Sequence, residues 1–378
     1  MTNRPELYIG LMSGTSADGI DAALVDYSQD TPTLVAKLEY PLGSQLKNQI
    51  LQLCSPGDNE IERMGQLDRL LGQRFAEATL QLLENSPFGA EDIAAVGSHG
   101  QTIRHRPPGQ LTTDESLPFT LQIGDPNTIA ELTGITTVAD FRRRDVAAKG
   151  QGAPLAPAFH QALFTGSTKE RFIVNIGGMS NITQLTPTKP ALGFDTGPGN
   201  VLMDGWIYQQ RGEHYDRDGH WAASGQANLV LLDKLLAHPF LQLPAPKSTG
   251  REAFNLAWLE HLLSQFNEPV AAADVQATLL EFTARTISDA IGQASSDHQG
   301  EIYICGGGAH NAQLMHRLSQ LNQGSQVNST ETIGIAPEWV EAMAFAWLAQ
   351  RTLQRQAGNL KEVTGANGAR ILGGIYYP

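Results

Sequence analysis

Residues 7–27 read L-Y-I-G-L-M-S-G-T-S-A-D-G-I-D-A-A-L-V-D-Y. The apolar arms read as two strands of a hairpin. The turn between them presents Ser13, Gly14, Thr15, Ser16 and Gly19 with the acids Asp18 and Asp21. Backbone N–H groups and hydroxyls in such a turn can converge on one anion, which suggests phosphate. Glycine, serine and aspartate are also ordinary turn residues. The rest of the chain must therefore decide between the two.

Working outward, the pattern returns. R171-F-I-V-N-I-G-G-M-S-N-I-T-Q-L185 is again strand, glycine turn, strand. Asn181 reads there as a residue that holds the turn. E301-I-Y-I-C-G-G-G-A-H-N311 is a buried strand breaking into three glycines, with helix expected beyond. Successive glycines at such a place usually mark the close approach of a ligand. His310 reads as a helix-start residue and Cys305 as a small core residue. I93-A-A-V-G-S-H-G-Q-T102 and F119-T-L-Q-I-G-D-P-N127 are short strands ending in polar glycine turns. Helical spacing is expected over 46–53, 61–83, 127–133, 201–208, 279–290 and from Ala312, and E338-W-V-E-A-M-A-F-A-W-L-A349 reads as a strongly apolar helix suited to a core or a dimer contact. Residues 141–157 read mostly as a loop crossing between domains.

The whole chain bounds these readings. Its 378 residues suffice for two cored domains. A net charge of -13 and a pI near 5.2 argue against nucleic-acid or anionic-membrane binding. The two cysteines are expected to be reduced, as in the cytoplasm. No leader pattern or membrane-spanning stretch is expected.

Taken together, two strand–turn–strand loops and a later strand–Gly-Gly-Gly turn resemble the ATPase fold shared by sugar kinases, actin and heat-shock chaperone ATPases. That implies an α/β protein of two duplicated β-sheet domains around a central cleft. The expected division is 1–145 with 350–378, and 146–349. No G-x-x-x-x-G-K-[ST] is present, and the first glycine turn feeds a strand instead of a helix, against both P-loop and dinucleotide folds. In F194-D-T-G-P-G-N200 the carboxylate of Asp195 reads either as a helix cap or as a base that accepts a proton ahead of a helix N-terminus.

The chain also resembles one family through ordered motifs: G-L-M-S-G-T-S-A-D-G-I-D, S-H-G-Q-T, Q-I-G-D-P-N, A-D-F-R-R-R-D-V-A-A-K-G-Q-G-A-P-L, N-I-G-G-M-S-N-I-T, F-D-T-G-P-G-N, I-C-G-G-G-A-H-N and E-W-V-E-A-M-A-F-A-W-L-A. The family is anhydro-N-acetylmuramic acid kinase, of bacterial cell-wall recycling. The resemblance implies an enzyme that opens a 1,6-anhydro ring with water while phosphorylating the freed 6-oxygen from ATP. It makes Gly14, Thr15, Ser16, Ala17, Asp18, Gly19, Ile20 and Asp21 the ATP-phosphate loop and Asp195 the base. The wider fold adds Asn175, Gly177 and Gly178 on the phosphates and Gly306, Gly307 and Gly308 beside the nucleoside. Met12 and Asn175 stand where the wider fold often has aspartates, so Mg²⁺ is expected on the phosphates and water, with Asp18 or Asp195 nearby. A cytoplasmic homodimer is also implied.

For the sugar, Arg142 or Arg144 suits the lactyl carboxylate. The alternative is a solvated charge run paired with Asp140 and Asp145. His99, Asp125 and Glu341 are further sugar candidates, against turn and capping roles. Two other functions stay open: a conventional sugar kinase of the same fold, and a nucleotide-dependent interaction protein.

Overall fold

Leu7–Met12 (β1) is buried at every position, as a strand covered on both faces must be. The computed structural model describes residues 5–29, 31–108, 117–164, 169–187, 189–251, 253–295 and 300–378. In chain order β1 is followed by β2 (Gly19–Asp26), β3 (Thr33–Pro41), β4 (Ile93–Ser98), β5 (Gln101–Arg106), β6 (Phe119–Ile123) and β7 (Thr137–Ala139). Next come β8 (Arg171–Ile176), β9 (Met179–Thr186), β10 (Lys189–Pro198), β11 (Glu301–Cys305) and β12 (Gln326–Ser329), and finally β13 (Gly374–Tyr376).

Two sheets repeat one plan. The first has the order β13-β7-β4-β1-β2-β3 and the second β10-β9-β8-β11-β12. In the first, β1, β2 and β3 form an antiparallel meander while β4 and β7 run parallel to β1 outward. In the second, β8, β9 and β10 form the meander while β11 and β12 run parallel to β8. This is the duplicated α/β organisation that the two glycine hairpins led us to expect. β5 and β6 form a separate ribbon.

The chain divides into Met1–Leu163 with Trp339–Pro378, and Phe164–Glu338. Both boundaries differ from the expected 145/146 and 349/350. Residues 141–157 are not a linker: helices form at Arg143–Ala147 and Ala156–Phe164, and all of 141–157 falls in the first unit. The helix Val340–Leu353 also belongs to the first unit, where it lies against β1 and β4. Its backbone meets the strands directly. A Cβ on Gly10 would stand 1.8 Å from the Ala342 carbonyl oxygen, and one on Gly97 2.1 Å from that of Phe345. Alanines at 342, 346 and 349 complete the close fit. The opposite face of the sheet packs on the helix Glu60–Glu84 through Leu67, Leu71, Phe75 and Leu82.

In the second unit the long helix Ala272–Ala294 supplies Leu279, Phe282, Ile287 and Ile291 to a core with Phe172, Val174 and Ile304 from the strands. Cys305 is buried and Cys54 exposed, and both are thiols.

Gly97→Val tests the backbone contact. A Cβ bearing two methyl groups has no space there, so at least the ~1–3 kcal/mol of an overpacked core should be lost. Chemical denaturation should show the drop, and wild-type stability would contradict the contact.

Three histidines of the first unit add a pH dependence. Burial, with Arg142 adding its charge, holds His99 well below the ordinary imidazole value. Burial holds His105 and His160 at about 3. Each stays neutral in the fold and takes up a proton on unfolding. The stability they confer is complete above a pH of about 6.5 and is lost as pH falls towards their folded values. Each can cost about 1.4 kcal/mol per pH unit in that window. Thermal unfolding should drop between pH 7 and pH 5, and His160→Leu should flatten the slope; an unchanged slope would exclude His160 as a contributor.

Candidate functional site

The first turn is built from the strand ends. Ser13 is buried, and its hydroxyl lies 2.9 Å from the Gly19 carbonyl and 2.7 Å from Gln101 Oε1. Gln101 Nε2 donates to the Gly14 carbonyl at 3.2 Å. The side chain of Gln101, itself 1% exposed, thus braces the turn from β5. Ala17 adopts a left-handed φ of 53° and is buried, which tightens the turn. Thr15, Ser16 and Asp18 are exposed, and the space above Gly14 is empty for 4 Å. Asp18 pairs with Lys47. The turn therefore offers solvent two hydroxyls and an uncovered backbone. Sequence reading missed Gln101, although the S-H-G-Q-T motif contains it.

Beyond β4, the His99 ring lies tilted against Phe345, with 4.7 Å between ring centroids. Its Nε2 accepts from Arg142 Nε at 3.1 Å, so the neutral ring carries its proton on Nδ1. Arg142 Nη1 also donates to the Gly152 carbonyl at 2.9 Å. Arg143 pairs with Asp140 at 2.6 Å, while Arg144 is exposed. Of the two arginines considered for a substrate anion, Arg142 is the one held against His99. A cavity of about 160 Å³ lies alongside, lined by Ser98, His99, Gln122, Asp140, Arg143 and Tyr376 among others. Ser98 Oγ and Gln122 Oε1 are buried without a hydrogen-bond partner among the described residues.

Asp125 takes a capping role. It stands before the helix Pro126–Thr133 and accepts from the N–H groups of Asn127 at 3.1 Å and Thr128 at 3.2 Å. Arg69 and the Thr128 hydroxyl also donate to it. Glu341 is half-buried in the first turn of Val340–Leu353.

In the second unit Asp195 is no helix cap. It lies inside β10, and the helix Val201–Arg211 starts after Asn200. The carboxylate is 8% exposed and accepts from the Thr249 N–H at 2.8 Å. The Asp195 N–H donates to the Lys247 carbonyl at 3.0 Å, so a loop strapped along the strand orients the acid. Burial lowers the pKa of the Lys247 ammonium, and the charge of Asp195 partly offsets this. Strand register places Cys305, Asn175, Asn181 and Asp195 in one row across β11, β8, β9 and β10. Asn181 does not hold the turn; its Oδ1 is buried with no hydrogen-bond partner among the described residues, and Asn200 Nδ2 donates to the Ile176 carbonyl at 3.3 Å instead. Lys247 and Thr249 were missed because their stretch, P-A-P-K-S-T-G, reads only as a loop.

The carbonyls of Gly177 and Gly178 accept from the backbone of residues 199–201 at 2.8–3.1 Å. The triple glycine has a partly internal cause. A Cβ on Gly306 would stand 2.5 Å from Asn175 Oδ1, and one on Gly308 2.4 Å from Ile176. Only Gly307 of the three faces open space, with nothing nearer than 3.8 Å. His310 does not start the following helix; it pairs with Glu338, and Asn311 caps Ala312–Leu321.

A family model described as anhydro-N-acetylmuramic acid kinase matches residues 6–378. A protein of that name from Saccharophagus degradans is 52% identical over 375 residues, 99% of this chain and 100% of that one. Another, from Pseudomonas paraeruginosa, is 53% identical over 370 residues, 98% of each. Among solved structures, an activator of 2-hydroxyisocaproyl-CoA dehydratase from Clostridium difficile aligns at 12% identity and a TM-score of 0.47, over 92% of this chain and 96% of that one, a distant likeness on which nothing rests. With half of its residues identical over essentially its full length, this chain belongs to the anhydro-N-acetylmuramic acid kinase family.

Proposed function

We infer that the protein is a kinase of anhydro-N-acetylmuramic acid that uses ATP, water and Asp195. The full-length match to the family supports the substrate and the reaction class. The observation that carries the mechanism is a buried carboxylate, Asp195, held by a backbone N–H on the strand row that starts at the second glycine turn.

The exposed hydroxyls and open backbone of residues 14–21 serve the ATP phosphates, with Asn175, Gly177 and Gly178 contributing from the second turn. Gly307 leaves room beside the nucleoside. Among the described residues no group of three acids, histidines or cysteines suits a metal. On this reading Mg²⁺ is held mainly by phosphate oxygens and water, with Asp18 or Asp195 nearby. The ion neutralises phosphate charge when bound.

The bridging ether oxygen of the sugar has no proton to remove. Asp195 therefore takes a proton from water, whose oxygen bonds to the anomeric carbon as the bond to the 6-oxygen breaks. That oxygen bonds to the γ-phosphorus and ADP leaves. Water driven at the anomeric carbon by a carboxylate is the logic of inverting glycoside hydrolysis. The electrophilic phosphorus replaces the acid. Arg142 meets the lactyl carboxylate, with His99 at its back and Glu341 on the sugar hydroxyls. The same reading carries a cytoplasmic homodimer.

Asp195→Asn keeps an oxygen for the Thr249 N–H but cannot take a proton. Turnover should fall by about 10²–10⁴-fold, the usual worth of a general base, with ATP affinity unchanged by calorimetry. Wild-type-like turnover would remove Asp195 from the chemistry.

The reaction itself is tested by ADP release with ATP, Mg²⁺ and 1,6-anhydro-N-acetylmuramic acid in oxygen-18 water. One labelled oxygen should enter the product, at the anomeric position. Turnover on open N-acetylmuramic acid alone, without label, would mean a conventional sugar kinase.

A further inference from the structure

Asp145 is a carboxylate with no exposed surface. Its Oδ1 accepts from Asn359 Nδ2 at 2.6 Å and from the Thr364 hydroxyl at 2.8 Å. Its Oδ2 accepts from the Gly152 N–H at 2.8 Å. The surrounding backbone repeats the attachment: the Gln151 N–H donates to the Thr364 carbonyl and the Asn367 N–H to the Ala148 carbonyl, both at 2.7 Å. Residues 148–152 are thus fastened to the C-terminal segment 359–367. No basic side chain is among these bonds. A buried carboxylate served by neutral donors is costly to keep, and cheaper apolar residues would fill the same space.

The network has a direction. Gly152 gives its N–H to Asp145 and its carbonyl accepts from Arg142 Nη1 at 2.9 Å. Arg142 then reaches His99 through Nε. One residue therefore links the buried acid to the guanidinium. Moving the Asp145 carboxylate moves Gly152, and moving Gly152 removes one of the contacts that orient Arg142.

We propose that Asp145 is a positioning residue for substrate selectivity: through Gly152 it sets the guanidinium of Arg142 where an anionic substituent of the sugar is read. This rests on the reading that Arg142 meets that substituent. Asp145 touches no reacting atom. A purely structural acid would lower activity on every sugar alike, whereas a positioning acid alters the preference for a charged one.

The test compares kcat/KM for 1,6-anhydro-N-acetylmuramic acid with that for 1,6-anhydro-N-acetylglucosamine, which lacks the lactyl carboxylate. Asp145→Asn cannot accept on both sides, because its NH₂ must face either Gly152 or the Asn359–Thr364 pair. The preference for the charged sugar should fall about tenfold, as for one charge-assisted hydrogen bond, mostly in the sugar KM and without change in the ATP KM. Thr364→Val removes a single donor and should lower the preference about threefold. It serves alone if the asparagine variant does not fold. Arg142→Met is the reference. Loss of preference in Arg142→Met and in the Asp145 or Thr364 variant supports the proposal. Loss in Arg142→Met alone overturns it while leaving the role of Arg142 standing. An unchanged preference in Arg142→Met overturns the reading of Arg142 and the proposal with it.

Discussion

The helix Val340–Leu353 lies backbone to backbone on β1 and β4, with no side chain between at Gly10 and Gly97. Much of the first unit follows from this contact. It fixes β1, whose end carries the first glycine turn, and β4, whose end carries His99. It also brings Phe345 against His99 and, at 5.7 Å, against Phe141, at the start of the arginine run. A segment more than two hundred residues away thus sets two parts of the candidate site. Interiors packed at crystal density tolerate little adjustment at such a contact.

The second unit reaches its functional arrangement differently. Register does the work: antiparallel and parallel pairings bring Cys305, Asn175, Asn181 and Asp195 into one row, although the chain separates them by up to 130 residues. A one-residue slip would turn the row to the other face. The strap through Lys247 and Thr249 then supplies hydrogen bonds where β10 reaches the sheet edge. An edge strand has backbone groups to spare, and here a loop takes them up.

Charge is handled differently at the two places. Burial, with the charge of Arg142 adding to it, keeps His99 neutral, and a neutral imidazole accepts where a protonated ring would repel the guanidinium. Near Asp195, burial lowers the pKa of the Lys247 ammonium and the carboxylate charge partly offsets this. The first arrangement suits a rigid cation presented to an anion.

The glycine turns, their flanking strands and the strand that carries Asp195 were legible in the sequence, because turn chemistry and apolar alternation act over a few neighbouring residues. The ordered motifs carried the family as well. Local signals misled where a residue had two short-range uses. Asp125 follows a glycine and precedes a proline, and the helix geometry shows its carboxylate capping Pro126–Thr133. Gly306 and Gly308 look alike with Gly307, yet two of the three are glycine because Asn175 and Ile176 lie against them. The unit boundaries, the brace of Gln101, the strap at Lys247 and the burial of Asp145 were decided by tertiary structure alone. Each depends on which distant segments meet, and sequence spacing does not encode the contact that buries a group or gives it a partner.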